Sequence, residues 1–278
     1  MSPRIIHIGP VSIPLLGLFI IIGILTSIGL LSYDADKKKL DKDLIYDSIT
    51  KILIFGIIGA RVYYILIFNL KPYIENPLSI FFVWQGGLSI QGGILGGIIG
   101  GVITFRKDAI GFWKMADFLA PGVILAQAVA RIGCDVFGNP IESPLPWGVV
   151  VDGIHVHPVQ MYESLLNYLL FFILWISRER IRFQGQLFLS YTIGFSLNRF
   201  IVEFFRTNPM ILPPLTVAHI TSIGFIILAG IIWMVLGNQE KFQIQHTKVN
   251  RINTIIPLLT TIISIAVSTF IYYRIYWS

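Results

Sequence analysis

Charge is scarce in this chain. Of its 278 residues only 13% are Asp, Glu, Lys or Arg, whereas 55% are hydrophobic, which excludes an ordinary soluble globular balance. Cysteine is nearly absent too. The single thiol, Cys134, leaves no internal disulfide and no multi-cysteine metal site. No Pro/Ser-rich linker, low-complexity tract or soluble appendage interrupts the sequence, so 1–278 reads as one integral membrane domain. The first apolar run, Val11 to Tyr33, lacks the strongly basic leader and the small-residue cleavage site of a signal peptide, and it is longer than such a peptide's apolar stretch. It reads as a retained span.

What the sequence has in abundance is apolar runs long enough to cross a bilayer. Eight are drawn, at about 11–33, 44–69, 80–105, 115–137, 160–177, 185–206, 215–236 and 253–275, each near the ~20 residues that traverse hydrocarbon. The expected fold class is all-α: a polytopic integral membrane protein of seven to eight transmembrane helices around a central lipid-binding cavity.

The loops sort by charge. Lys37, Lys38, Lys39 and Lys42 follow the first span; Arg106, Lys107 and Lys114 the third; Arg178, Arg180 and Arg182 the fifth; Lys241, Lys248 and Arg251 the seventh. The alternate loops are poor in Lys and Arg, which puts the rich loops in the cytoplasm and both termini outside. The net charge of +6 therefore belongs to bilayer anchors and not to a nucleic-acid patch, because thirteen of the 21 Lys and Arg lie in those loops. Arg4, Lys71, Arg206 and Arg274 fall near the outer face, and Lys51 near a cytoplasmic helix end, from which it can snorkel. Arg61, Arg131 and Arg199 remain at membrane depth, where a charge costs several kcal/mol and marks function by default.

Arg199, Glu203 and Arg206, in "NRFIVEFFR", are spaced i, i+4, i+7 and share one helix face. The bland reading is a helix-packing ion pair with Arg206 snorkelling outward. The functional one is an anion site, since the planar guanidinium fork suits phosphate oxygens. Arg131, in "AVARIGCDVFGNP", ends an apolar helix before Gly133, Cys134 and Asp135. Irregular backbone at that depth is tolerated where it lines a protein cavity; the bland alternative is a helix end closed by an Arg131–Asp135 pair. In "WQGGLSIQGGILGGIIGG" the spacing of Gly96, Gly97, Gly100 and Gly101 means close helix packing. The two Gly-Gly pairs at 86–87 and 92–93, with Gln85, Ser89 and Gln91, suggest an opened turn facing a polar cavity. In "HVHPVQMYESLLN", His157-Pro158 precedes a helix bearing Gln160, Tyr162 and Glu163. Helix capping explains the Pro and Glu, but not four polar groups arriving together.

These stretches carry a resemblance. "IGPVSI", "GARVYYILIFN", "GGLSIQGG", "ADFLAP", "ARIG", "PWGVV", "HPVQMYE" and "RFIVEFFR", in that order across residues 8–236, resemble the prolipoprotein diacylglyceryl transferases of bacteria; the last two motifs are the specific ones. The resemblance implies transfer of the diacylglyceryl group of phosphatidylglycerol to the lipobox cysteine of prolipoprotein signal peptides, in the bacterial plasma (inner) membrane, with glycerol phosphate leaving. It makes 1–236 the transferase-like core and 253–275 an extra helix beyond the family's usual seven. Arg131 and Arg199 become its essential arginines, with Glu203 and Arg206 supporting. The chain departs from the family at Gln91, where a histidine is usual, at Cys134, where asparagine is usual, and at "FGNPIE", Leu16, Phe195 and Ala218-His219.

Arg131, Arg199, His157 and Glu203 are thus the catalytic candidates. Arg206, Gln91, Gln160, Tyr162, Glu163, Arg61, Gly92 and Gly133 are the substrate-binding ones. The arginines clamp the phosphate, and Glu203 orients Arg199. Gln91 cannot take a proton at neutral pH, leaving His157, His219, water or the departing phosphate as base. No cofactor is called for, no ligand cluster for a metal stands out, and membrane lipid is the expected surrounding. Two alternatives stay open: a divergent paralogue that binds anionic phospholipid with another acceptor or no catalysis, and a lipid transporter, since Gly-interrupted helices and intramembrane charges also mark transport sites.

Overall fold

The computed structural model describes residues 5–8, 11–38, 41–68, 70–82, 87–105, 111–142, 145–239 and 252–276. Arg4, Lys39, Gln85, Gly86, Arg106, Lys107, Lys241, Lys248 and Arg251 lie outside the described residues, as does the side chain of Gln91.

Each of the eight expected spans is a helix. These are α1 (Leu15–Lys38), α2 (Lys42–Phe68), α4 (Ile90–Phe105), α5 (Phe112–Ala130), α6 (Val159–Ser177), α7 (Gln186–Glu203), α8 (Val217–Gln239) and α9 (Ile252–Tyr276). The short α3 (Leu70–Glu75) follows α2. Among the described residues six helices are long and apolar enough to cross a membrane: α1, α2, α5, α6, α8 and α9. α4 adds a shorter apolar stretch, Gly92–Phe105, and α7 has the length but carries Arg199 and Glu203. Large apolar side chains stay exposed along these helices, as with Phe225, Ile227, Leu228, Ile231 and Met234 of α8. Such a surface suits lipid and not water. The chain is a multi-pass α-helical membrane protein.

Two helix starts differ from the sequence reading, and the spans expected to reach 137 and 206 end early, at Ala130 and Glu203. Residues 11–14 are not helical: β2 (Val11–Pro14) pairs antiparallel with β1 (Ile5–Ile8), because a residue preceding proline, here Ile13, is driven out of the α region and the helix starts beyond Pro14. The third span begins at Ile90 and not near 80. A 3-10 helix at Pro77–Phe81 is followed by Gly87, whose φ of +75° breaks the helical path. The opened turn is real at Gly87 but not at Gly92–Gly93, which lie inside α4.

The chain divides into two compact units: Met1–Leu31 with Ala116–Ser278, and Ser32–Met115. In the 32–115 unit α2 packs along α4. A Cβ on Gly59 would come 2.5 Å from Gly92 O and 2.7 Å from Gly96 Cα, and one on Gly96 would collide with Phe55 O. Backbone therefore meets backbone, the small-residue packing of membrane helices. Arg61 of α2 donates to the carbonyls of Ser79 (2.6 Å), Ile80 (3.0 Å) and Gly87 (3.1 Å), tying down the turn before α4.

In the other unit the core is drawn from Leu15 and Phe19 of α1, Ile124 and Ala128 of α5, Phe171 and Leu174 of α6, and Tyr272 and Tyr276 of α9. Buried Asp117 of α5 caps α7, accepting from the amides of Gly185 (2.7 Å) and Phe188 (2.8 Å). Two hairpins complete the unit: β3 (Val149–Val151) with β4 (Ile154–Val156), and β5 (Met210–Leu212) with β6 (Leu215–Thr216).

Gly96→Ala is expected to lower stability by about 1–3 kcal/mol through overpacking. Gly97→Ala, whose Cβ would meet Ile52 at an ordinary 3.7 Å, should leave stability unchanged or slightly raised. Thermal unfolding of both in detergent checks the contrast.

Candidate functional site

The site grows from the end of α5. After Ala130 the helix tightens into a 3-10 turn, Arg131–Gly133, and then opens into extended backbone at Cys134. A Cβ at Gly133 would stand 2.6 Å from Leu15 O and 2.7 Å from Phe19, so glycine lets this turn sit on α1. The strand-like segment beyond is stitched on both sides. Gly138 N donates to His157 O (2.9 Å), Asn139 N to Phe205 O (2.8 Å), and Ile141 N to His155 O (2.8 Å). Gly138 also pairs with Arg206 as an isolated bridge. A side chain at Gly138 would meet Phe205 O and Val159. Three pieces distant in sequence, 131–141, 155–163 and 199–206, are thereby fixed together.

Arg131, Arg199 and Arg206 converge on Glu163 of α6. Its carboxylate lies 2.7 Å from Arg131 Nη2, 3.8 Å from Arg199 Nη1 and 3.7 Å from Arg206 Nη1. Glu203 pairs with Arg199 Nη2 at 2.9 Å and lies 3.7 Å from Arg206 Nε. Its other oxygen accepts from Asn208 Nδ2 (2.6 Å) and Thr216 Oγ1 (2.7 Å). Three guanidiniums against two carboxylates leave one net positive charge. Both carboxylates are fully buried, whereas the side chains of Arg131 and Arg199 keep 25% and 22% of their surface; the cluster turns positive charge outward. Arg199 Nη1 and Arg206 Nε, like both Glu163 oxygens and Glu203 Oε2, are held in ion pairs without a hydrogen bond among the described residues. A cluster with surplus positive charge can hold an anion.

Gln160, His157 and Tyr162 lie around it. Gln160 Nε2 donates to Cys134 O (3.2 Å). His157 Nδ1 is 3.2 Å from the Tyr162 hydroxyl, which accepts from Trp147 Nε1 at 3.0 Å. His157 and Tyr162 both pack on the Phe205 ring. Arg61, Gln91 and Gly92 belong to the other unit. There Arg61 binds backbone carbonyls, and Gly92 meets Gly59 O and Tyr63. The bland alternative for Arg131, a pair with Asp135, is not what forms. Arg131 pairs with Glu163, and Asp135 accepts from the Tyr276 hydroxyl at 3.0 Å.

Sequence reasoning undervalued Glu163, treated there as a helix-capping acid with a binding role. A signal was available: Gln160, Glu163, Ser164 and Asn167 fall at i, i+3, i+4, i+7, a polar stripe on an otherwise apolar helix. All four are 1% exposed or less. Ser164 donates to Ala128 O (2.8 Å), and Asn167 accepts from Asn198 Nδ2 (3.2 Å) beside Arg199. Asn208 and Thr216 were missed and no periodicity pointed to them.

A family model described as prolipoprotein diacylglyceryl transferase matches residues 3–236. A protein of Geobacillus kaustophilus named phosphatidylglycerol–prolipoprotein diacylglyceryl transferase is 35% identical over 246 residues, covering 83% of this chain and 90% of its own length. Proteins of the same name from Bacillus cytotoxicus and Bacillus cereus are 34% and 31% identical, over 81% and 85% of this chain and 88% and 93% of their own.

Removing one member of a buried charge cluster strands the others. Glu163→Gln is expected to lower unfolding free energy by about 3 kcal/mol. Arg131→Gln in the same background should recover part of that loss, a coupling that a double-mutant cycle by denaturant titration measures.

Proposed function

The chain belongs to the prolipoprotein diacylglyceryl transferase family, and on that premise we propose that it moves the diacylglyceryl group of phosphatidylglycerol onto the lipobox cysteine of prolipoproteins. The observation that carries the reading is the buried cluster of three arginines and two glutamates with its net positive charge. An anionic headgroup is the partner that such a cluster lacks.

In the reaction the acceptor thiolate attacks the glycerol carbon that bears the phosphate. A C–S bond forms, the C–O bond to phosphate breaks, and glycerol phosphate departs with the bonding pair. Charge gathers on the leaving phosphate, and preorganised guanidiniums in a dry site stabilise it by about 3–4 kcal/mol per donor. Arg131 and Arg199 fill that role. Arg206 assists. Glu163 and Glu203 hold the three like charges at fixed positions. Gln160, one turn from Glu163, and Gly133 shape the same wall. Arg61, Gln91 and Gly92 are proposed to act in lipid binding.

His157 is the better base. His219 Nδ1 accepts the backbone N–H of Thr216 at 3.1 Å, so the neutral ring carries its proton on Nε2 and has no lone pair free for another. The partner of His157 Nδ1 is a hydroxyl, which can accept as well as donate and so lets the other ring nitrogen stand unprotonated. Loss of the family histidine at Gln91 is compatible with turnover when His157 takes the proton. The charge bias of the loops supports a plasma-membrane orientation with the N-terminus outside.

The test is incubation of the purified protein with phosphatidylglycerol and a fluorescent lipobox peptide. The native chain should give the diacylglyceryl thioether product, and Arg199→Ala should lower kcat by about 10²–10³-fold. Absence of product from a native preparation that binds the lipid overturns the reading. In the same assay His157→Ala should reduce turnover more than His219→Ala; native rates in both would remove histidine from the mechanism.

A further inference from the structure

α9 lies beyond the residues that the family model matches, yet its last turns sit against the backbone that presents the site. The Tyr276 hydroxyl shares its one proton between Asp135 Oδ1 at 3.0 Å and Cys134 O at 3.4 Å, the latter the same carbonyl to which Gln160 donates from α6. Its ring packs edge-on against Phe137 at 5.5 Å. Tyr273 donates to Trp147 O at 2.8 Å, and Trp147 in turn donates to Tyr162, the hydroxyl partner of His157. Tyr272, fully buried, wedges between the two, with ring centroids 5.3 Å from Tyr273 and 4.7 Å from Tyr276. Lower on the helix Ser268 bonds Tyr168 of α6 at 2.7 Å. One helix thus reaches both arms of the site: the turn that follows Arg131, and the Trp147–Tyr162 pair that sets His157.

Anchoring alone does not account for this arrangement. An apolar helix face packs on α6 without hydroxyls. Here two tyrosine hydroxyls are spent on the backbone carbonyls of Cys134 and Trp147 and on the Asp135 carboxylate, at the end of the helix nearest the arginines. A carbonyl bonded from two helices is restrained, and with it the turn that carries Arg131.

We infer that α9 is a positioning element of the transferase site, in which Tyr276 and Tyr273 hold the backbone at Cys134 and Trp147 so that Arg131 and His157 keep their places while a phospholipid enters. The inference rests on the transferase reading above. Neither tyrosine touches the reacting atoms; both act through the loops they hold.

The lone cysteine supplies a readout that does not need turnover. Cys134 is 5% exposed, inside the segment that Tyr276 grips, so its alkylation by N-ethylmaleimide reports how firmly that segment is held. The variant is Tyr273→Phe with Tyr276→Phe, which keeps both rings and their packing. The control is Ser268→Ala, which breaks an α9 hydrogen bond away from the loops. In the double variant kcat should fall about tenfold, with the KM for phosphatidylglycerol and the melting temperature near native and Cys134 alkylated faster; Ser268→Ala should leave kcat and alkylation native. Native kcat in the double variant, or an equal loss in Ser268→Ala, overturns the inference. Should the native chain transfer nothing, the transferase reading fails, and alkylation decides alone. Unchanged protection of Cys134 in the double variant overturns the bracing role, and faster alkylation sustains it.

Discussion

A fully buried carboxylate, Glu163, is the constraint on which the rest of its unit depends. An isolated carboxylate there would take its proton or unfold its surroundings. Three guanidiniums reach it from two directions, the end of α5 and the chain at and just beyond the end of α7. Those guanidiniums repel one another and would not share a site without Glu163 and Glu203 between them. The cluster is therefore an all-or-none object. Each member is tolerable at membrane depth because the others are present, and a surplus of one positive charge remains.

Much of the secondary architecture serves to keep that object rigid. The segment 138–141 takes its hydrogen bonds from 155–157 and 205, turning three loops into a small sheet-like patch beneath the arginines. Asp117 fixes the start of α7 from α5. Asn198–Asn167 and Ser164–Ala128 tie the three helices at the depth of the charges. In lipid, helices gain little by hiding apolar surface from one another, so hydrogen bonds and close backbone contact take over the work of association. Both devices are visible here: the polar stripe of α6, and the glycine seam between α2 and α4.

Particular residues show how far the sequence could be read. The face shared by Arg199 and Glu203 followed from helical spacing, and the two pair at 2.9 Å; Arg206, expected on the same helix face, lies past the helix end at Glu203 in a bridge with Gly138 and reaches Glu163 from there. Arg131 was legible as a charge too deep to be an anchor, but its partner was not, because a pairing between residues 131 and 163 leaves no trace in local spacing. Asp135 looked the better partner by proximity along the chain. The helix ends that were misjudged, near 11 and 80, are places where a few residues decide: a proline after Ile13, and a glycine that takes a positive φ at 87. The "QGG" at 91–93 was ambiguous because a glycine pair serves a turn and a tight helix contact equally well. The approach of Gly59 resolves it.

The sequence by itself determined that this is a polytopic α-helical membrane protein, roughly where its helices lie, and that three arginines fall within its apolar spans. Those facts follow from apolar run length and helical period, which are local properties of the chain. Tertiary structure alone decided that Glu163 is the hub, that Thr216 and Asn208 hold Glu203, that His219 has its accepting nitrogen engaged, and that α9 reaches into the site through its tyrosines. The longest of these pairings are set by which surfaces meet after some thirty to a hundred and forty intervening residues have folded, as between Arg131 and Glu163 or Cys134 and Tyr276. Loop closure over that length costs little more for one partner than for another, so nothing local selects between them.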